Sequence, residues 1–315
     1  MSSLCPNKIQ RRKATRRLFL RLCGTLLGAG AAVAVEARYI EPNALDVTRH
    51  EVFLPDLPAA MEGVTVAQLT DLHRGPHTPD ATIHQAVAAV VALKPDLIVL
   101  TGDFVDGDPS DAVPLREMFQ PLRARLGIWG CLGNHDYYGS VDQVAKTLTD
   151  SGEIRLLRNE SHLLAPGFWI AGIEDTSQGY PDTPRALAAI PPGAATLFLT
   201  HNPVGVWTCT NRPLLALAGH THGGQIRIPG LPPRLPPGMQ GFPLVAGWGL
   251  FDRARLYISR GVGMSMLPLR LGSYPEVAFF TLRRGDSPPR TLPTLAGRAA
   301  RKAERVLRSA AHHLA

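Results

Sequence analysis

Val64-Thr65-Val66-Ala67-Gln68-Leu69-Thr70-Asp71-Leu72-His73 reads as a buried strand that ends on an aspartate and a histidine. The pattern recurs along the chain. Residues 97–101 lead into Gly102-Asp103, 127–132 into Gly133-Asn134-His135-Asp136, 195–200 into His201, and 214–218 into Gly219-His220-Thr221-His222. Short apolar runs of this kind, bounded by turn residues, describe strands covered on both faces. Side chains leaving the ends of neighbouring strands meet on one rim of their sheet. Here that rim gathers two aspartates, one asparagine and four or five histidines, which is the inventory of a metal site.

Carboxylate, imidazole and amide oxygen without thiolate suit Mn, Fe or Zn at a reactive centre rather than a sulfur-rich structural zinc. Seven ligand candidates exceed what one tetrahedral ion accepts. They fit two ions sharing a bridging carboxylate. Metal pairs about 3.5–4 Å apart steady both the attacking and the leaving oxygen when phosphate esters are hydrolysed.

The order Asp-x-His, Gly-Asp, Gly-Asn-His-Asp, His, Gly-His-x-His resembles the calcineurin-like metallophosphoesterase superfamily over roughly residues 60–285. The resemblance implies that Asp71, His73 and His222 hold the first metal, that Asp103 bridges, and that Asn134, His201 and His220 hold the second. It also implies a four-layer α/β/β/α sandwich, an α/β fold of two facing mixed sheets flanked by helices. The stretches Gly223-Gly224-Gln225-Ile226-Arg227-Ile228-Pro229-Gly230 and Ser259-Arg260-Gly261-Val262-Gly263 resemble a bacterial, membrane-associated branch of the superfamily. Arg227, Arg260 and Arg270, in or near them, are candidates to meet the substrate.

A mechanism follows from that ligand set. Metal coordination lowers the pKa of bound water to about 7, so the expected nucleophile is a hydroxide bridging the two ions. His135, not needed as a ligand, is expected to donate to the phosphate and protonate the departing alkoxide. Asp136 is expected to orient His135. Asp106 reads as structural, capping a segment or bonding a ligand histidine. His50, His77, His84, His162, His312 and His313 read as surface or core residues.

Thr15-Arg16-Arg17-Leu18-Phe19-Leu20-Arg21 resembles a twin-arginine export motif, and a Gly/Ala-rich apolar stretch follows over 22–35. Its length suits a signal segment; about 20 apolar residues are wanted for a full span. Ala32-Val33-Ala34 and Val35-Glu36-Ala37 offer small-residue cleavage sites, and the sequence leaves cleavage open. The expected layout is a signal or anchor at 1–37, a catalytic domain at 38–293 and a basic tail at 294–315. The expected location is the periplasm or the outer face of the inner membrane, reached through the twin-arginine translocase. In the tail, Leu295, Val306, Leu307 and Leu314 with five basic residues read as a cationic amphipathic helix suited to a membrane surface. The net charge of +7 is uneven: residues 1–38 carry +7 and residues 294–315 carry +4, which leaves the body at −4. Nucleic acid, which wants clustered cations on the folded domain, is therefore not the expected partner.

Between these ends, strand and helix alternate, with helices expected at 79–93, 111–125 and 140–151 and short strands at 155–157, 161–165 and 168–173. About 250 residues bury such a core as one domain. The Pro- and Gly-rich segment 229–249 and the stretch 263–271 carry many apolar residues beside the His222 loop, either as filling under long loops or as an apolar lip for a lipid-bearing substrate. The reading reached is a phosphoesterase with two divalent metals, acting on phosphodiester or pyrophosphate bonds and, by resemblance, on a lipid-linked envelope substrate such as a UDP-diacylglucosamine-like molecule. A phosphomonoesterase, a nucleotide phosphodiesterase and a non-catalytic scaffold of the same fold are the alternatives.

Overall fold

The computed structural model describes residues 19, 21, 23–25, 27–209, 212–239 and 241–292. The Arg16-Arg17 pair and the tail 294–315 lie outside them. Among the described residues no helix is long and apolar enough to cross a membrane.

The chain order is β1 (Asp46–Leu54), β2 (Thr65–Leu69), α1 (Asp80–Leu93), β3 (Leu97–Thr101), α2 (Ala112–Phe119), β4 (Ile128–Cys131), α3 (Val141–Thr149), β5 (Ile154–Leu156), β6 (Glu160–Ala165), β7 (Phe168–Gly172), α4 (Thr183–Leu187), β8 (Ala195–Leu199), β9 (Leu215–Ala218), β10 (Gly247–Phe251), β11 (Ala254–Ile258), β12 (Glu276–Arg284) and β13 (Arg290–Leu292). A seven-stranded sheet runs β13-β1-β12-β2-β3-β4-β5 and a six-stranded sheet runs β10-β11-β9-β8-β7-β6. Both are mixed: β2, β3, β4 and β5 pair in parallel, as do β7, β8, β9 and β11, while β12–β2, β6–β7 and β10–β11 are antiparallel.

Strand periodicity explains the layers. Leu97 and Val99 of β3 point one way, into a core shared with Leu197, Leu199, Leu215 and Leu217 of the other sheet. Ile98 and Leu100 point the other way, onto Ile83, Val87 and Val90 of α1 and Leu115 of α2. Residues alternate faces along a strand, so a run apolar on both faces must be covered on both. A third core lies on the outer face of the second sheet, where Phe198, Ala216 and Leu256 meet Leu187, Val206, Met239 and Phe242. This is the expected sandwich of two mixed sheets flanked by helices. From the 229–249 segment Met239 and Phe242 enter that outer core, with Leu235 and Leu244 packed against it, whereas Ile228, Leu231, Leu250, Met266 and Leu267 stay exposed.

One expected helix is shorter than its sequence suggested. α2 ends at Phe119 rather than 125: Gln120 still has helical backbone, but Pro121 offers no N–H to carry the hydrogen-bond ladder on. Cys131 lies in the inter-sheet core and Cys209 in the outer core, and both are free thiols.

The two sheets are tied by a buried polar network at the start of β12. Glu276 accepts from Thr48 Oγ1 and Tyr257 Oη at 2.6 Å each and from Arg260 N at 2.8 Å. Burial alone would raise its pKa, but the Arg260 guanidinium and these donors hold it down at about 2. A depressed folded-state pKa means stability that is present above the unfolded value, near 4.5, and lost as pH falls towards 2. Glu276→Gln should therefore destabilise the fold by about 3–5 kcal/mol at neutral pH, since it leaves Arg260 short of a partner. Urea unfolding at pH 7 and pH 3 checks this, and the difference between wild type and variant should shrink at the lower pH.

Candidate metal centre

Five parallel strands end on one rim, and the loops leaving them supply every sequence-expected ligand. Asp71, His73, Asp103, His220 and His222 all have left-handed φ, between 42° and 72°. Non-glycine residues in that region carry strain, and such residues cluster where a site dictates the backbone. The loops interlock by backbone bonds: Asp71 N donates to Gly102 O and His73 N to Asp103 O, both at 3.0 Å. Glycine is required at Gly133 and Gly219 by crowding. A Cβ at Gly133 would overlap the Asp103 carboxylate, and one at Gly219 the Asp71 carboxylate.

The ligand atoms form two groups. Asp71, His73 and His222 make one, with His73 Nε2 2.9 Å from His222 Nε2 and His222 Nε2 3.3 Å from Asp71 Oδ1. Asp103, His201 and His220 make the other, with His220 Nδ1 3.2 Å from His201 Nε2. Asp103 Oδ2 lies 3.3 Å from His73 Nε2 and 3.1 Å from His201 Nε2, so one oxygen serves both groups. Asn134, in the loop after β4, is buried too. Its Nδ2 donates to Tyr138 Oη at 3.0 Å, while Oδ1 is buried without a hydrogen-bond partner.

Outer contacts set which nitrogen faces inward. His201 Nδ1 donates to Thr101 O at 2.8 Å, leaving Nε2 for a cation. His73 Nδ1 lies 3.2 Å from Asp106 Oδ1, with the same result. The electrostatics match. Burial opposes charge on His73 and His201, but the Asp103 carboxylate outweighs it and raises them to about 9 and about 10. Burial and the neighbouring His201 pull His220 down to about 4. A field that holds protons on buried histidines is one that favours divalent cations in their place, and oxygen and imidazole donors around a shared carboxylate fit two such ions.

Two carboxylates exchange the parts expected of them. Asp136 does not orient His135. Its oxygens accept backbone N–H groups of Gly133, Asp103, Phe104 and Val105, at 2.8–3.2 Å, and burial beside Asp103 raises its pKa to about 7. The 3₁₀ turn Asn134–Tyr137 points it back at the Asp103 loop, away from its sequence neighbour. Asp106, read as structural, is the carboxylate beside the rings: its Oδ1 is 3.2 Å from His135 Nδ1 and 3.2 Å from His73 Nδ1. Burial works against its charge, yet these two histidines hold its pKa well below the usual range. His135 stands edge-on to His73, ring centroids 4.5 Å apart.

The three arginines divide. Arg270 reaches the centre, with Nη2 3.5 Å from His222 Nδ1, but it is fully buried and donates to the carbonyls of Arg260, Gly261, Gly263 and Ser273. Arg260 pairs with Asp46 and Glu276. Arg227 is exposed on the strap after His222. Sequence reasoning also missed Asp175, fully buried in the loop after β7, whose charge acts on both His201 and His220. It follows a strand, as the ligands do, but no glycine or histidine flags it.

Fold and clusters together define a metal-dependent phosphoester hydrolase. A family model described as calcineurin-like phosphoesterase matches residues 64–224, and the chain belongs to that family. It is 32% identical over 286 residues to the uncharacterized metallophosphoesterase YkuE of Bacillus subtilis (strain 168), covering 86% of this chain and 99% of that one. The phosphodiesterase YaeI of Escherichia coli (strain K12) is 32% identical over 277 residues, covering 85% and 99%. The UDP-2,3-diacylglucosamine pyrophosphatase LpxG of Chlamydia trachomatis serovar D (strain ATCC VR-885 / DSM 19411 / UW-3/Cx) is 28% identical over 317 residues, covering 80% and 94%.

Proposed function

We propose that this enzyme hydrolyses phosphodiester or pyrophosphate bonds, with a lipid-linked phosphate as its natural substrate. The observation that carries the reading is Asp103 Oδ2, shared between two histidine–carboxylate clusters on one rim. Asp71, His73 and His222 would hold one divalent ion, Asn134, His201 and His220 the other, and Asp103 both. When bound, such ions supply Lewis acidity at phosphorus and acidify water to a pKa of about 7. His135 presents Nδ1 to Asp106, which leaves Nε2 to give a proton to the departing oxygen. Asp106 accepts from the His73 ring, and the same oxygen lies 3.2 Å from His135 Nδ1. The activities for which YaeI and LpxG are named favour a diester or pyrophosphate over a monoester.

A lipid-linked substrate is favoured by LpxG and by the surface beside His222. An apolar cavity of about 470 Å³ runs between Val33, Ala37 and Tyr39 on one side and Ile226, Leu269 and Leu271 on the other. Exposed Ile228, Leu231, Met266 and Leu267 extend that apolar character. Such surface suits an acyl chain and an interfacial seat at the membrane. Hydrolysis of bis-p-nitrophenyl phosphate against p-nitrophenyl phosphate, with added Mn²⁺ and with chelator, tests the bond class. Preference for the monoester overturns it, and no hydrolysis of either favours the scaffold alternative.

The outer face of the inner membrane, reached by twin-arginine export, is the location we propose. Replacing Arg16 and Arg17 together by lysine should then leave the enzyme in the cytoplasm. Fractionation checks this, and normal delivery in cells lacking the translocase sinks the idea.

A further inference from the structure

Residues just ahead of β1, at the expected junction of signal segment and catalytic domain, contact the loop that borders the metal centre. Ala37 is buried and its carbonyl accepts from Arg270 N at 2.9 Å. Glu41 is only 2% exposed. Its carboxylate accepts the backbone N–H of Gly272 at 2.8 Å and that of Ser273. Ser273 Oγ in turn donates to the carbonyl of His222 at 2.6 Å. The same loop touches a second ligand: Gly263 N donates to Asp71 O at 2.6 Å, and a Cβ at Gly261 would stand 2.6 Å from Asp71 Cβ. Arg270 ties these contacts together, donating to the carbonyls of Gly261, Gly263 and Ser273. Loop 260–273 therefore braces Asp71 and His222, two of the three residues of the first cluster, and Glu41 pins the end of that loop.

A carboxylate is an expensive group to bury, and a loop end could be held by packing alone. Its use on two successive N–H groups fixes their direction, which apolar contact does not. The direction matters because Ser273 must present Oγ to the His222 carbonyl, which among the described residues otherwise accepts only Gln225 N at 3.0 Å. His222 itself sits at a left-handed φ of 51°.

We propose that Glu41 is a positioning residue for the metal centre, acting through Ser273 on His222, and that residues 37–43 are accordingly a working part of the active enzyme. The inference rests on the metal-centre reading above. It separates the two cleavage sites: a cut after Ala34 spares the brace, whereas a cut after Ala37 breaks the chain at the carbonyl that holds Arg270.

Mn²⁺ binding to the full-length chain, followed by equilibrium dialysis, tests it alongside thermal unfolding of the metal-free protein. Glu41→Ala and Ser273→Ala should each weaken one of two Mn²⁺ ions by at least about tenfold, the usual size of an outer-contact loss, and leave the other unchanged. Glu41→Gln, which keeps an acceptor oxygen, should recover part of the loss. Activity lost at low Mn²⁺ should return in excess Mn²⁺. Ser273→Ala leaves the Glu41 bonds in place, so its metal-free Tm should match wild type even if Glu41→Ala unfolds. Wild-type Mn²⁺ affinity in Ser273→Ala overturns the proposal, whatever Glu41→Ala does. A wild-type chain that binds no Mn²⁺ would instead remove the metal-centre reading itself.

Discussion

Asp103→Asn should lower phosphoester hydrolysis by about three orders of magnitude and cut bound metal below two ions per chain. The substitution is nearly isosteric and keeps an oxygen to accept the His135 N–H, which Asp103 Oδ1 takes at 2.8 Å. What it removes is the charge of the one oxygen within 3.3 Å of His73 Nε2 and His201 Nε2 alike. Stabilisation of phosphoryl charge by metal ions is worth several kcal/mol, and each 1.4 kcal/mol is tenfold in rate. The metal-free protein gives an independent readout. Burial works against charge on His73 and His201, and the Asp103 carboxylate is what lifts them to about 9 and about 10. In metal-free Asp103→Asn both should titrate lower, followed by the imidazole proton resonances. Near-normal turnover with two metals retained would show that Asp103 does not bridge.

The convergence of these side chains was legible because each follows a buried strand closely and parallel strands of one sheet end on the same side. That His201, His220 and His222 come from the six-stranded sheet and the others from the seven-stranded one appears only in the fold. Gly133 and Gly219 stand in the same motifs, but that loops arriving from other strands press Asp103 and Asp71 against them appears only in the fold. For Asp106 a bond to a ligand histidine was among the readings, and the His73 contact matches it, but its place beside His135 was not legible, nor was the part Asp136 plays. Adjacency to His135 made Asp136 look like its partner, but a 3₁₀ turn sends neighbouring side chains in different directions. The residue that meets His135 comes from the next loop, 29 positions away in a chain where only the fold sets that distance. β1 escaped for a related reason. Its Asp46, Arg49, His50 and Glu51 break the apolar pattern, and it is held by pairing in parallel with β12, more than two hundred residues on. The Glu41 brace could not be read at all: it is one carboxylate among 26 acidic residues, just past the segment read as an export signal. Arg270 resembled a substrate ligand by type alone, and its burial against four carbonyls appears only once the loop has closed around it.

His135→Ala should lower turnover by about a hundred- to ten-thousand-fold while leaving metal occupancy intact. None of the contacts among the seven ligand candidates runs through the His135 ring; only its backbone N–H touches Asp103. The ring itself stands against His73 and Tyr138, centroids 4.5 and 4.6 Å away, so its removal opens space without unpairing a ligand. The size of the loss should depend on the leaving group. A nitrophenolate departs without help, whereas an alkoxide or a sugar phosphate needs a proton, so the effect should grow as leaving-group pKa rises. Asp106→Asn discriminates further. It weakens the hold on His135 Nδ1 and on His73 Nδ1 together, both at 3.2 Å, and so should reduce turnover and also metal affinity by about 10–100-fold. Brønsted plots for the wild type and the two variants measure the leaving-group dependence, and metal titration of each measures occupancy and affinity. Equal losses across leaving groups in His135→Ala would mean that the ring binds phosphate without transferring a proton, and lost metal in that variant would make it a ligand after all.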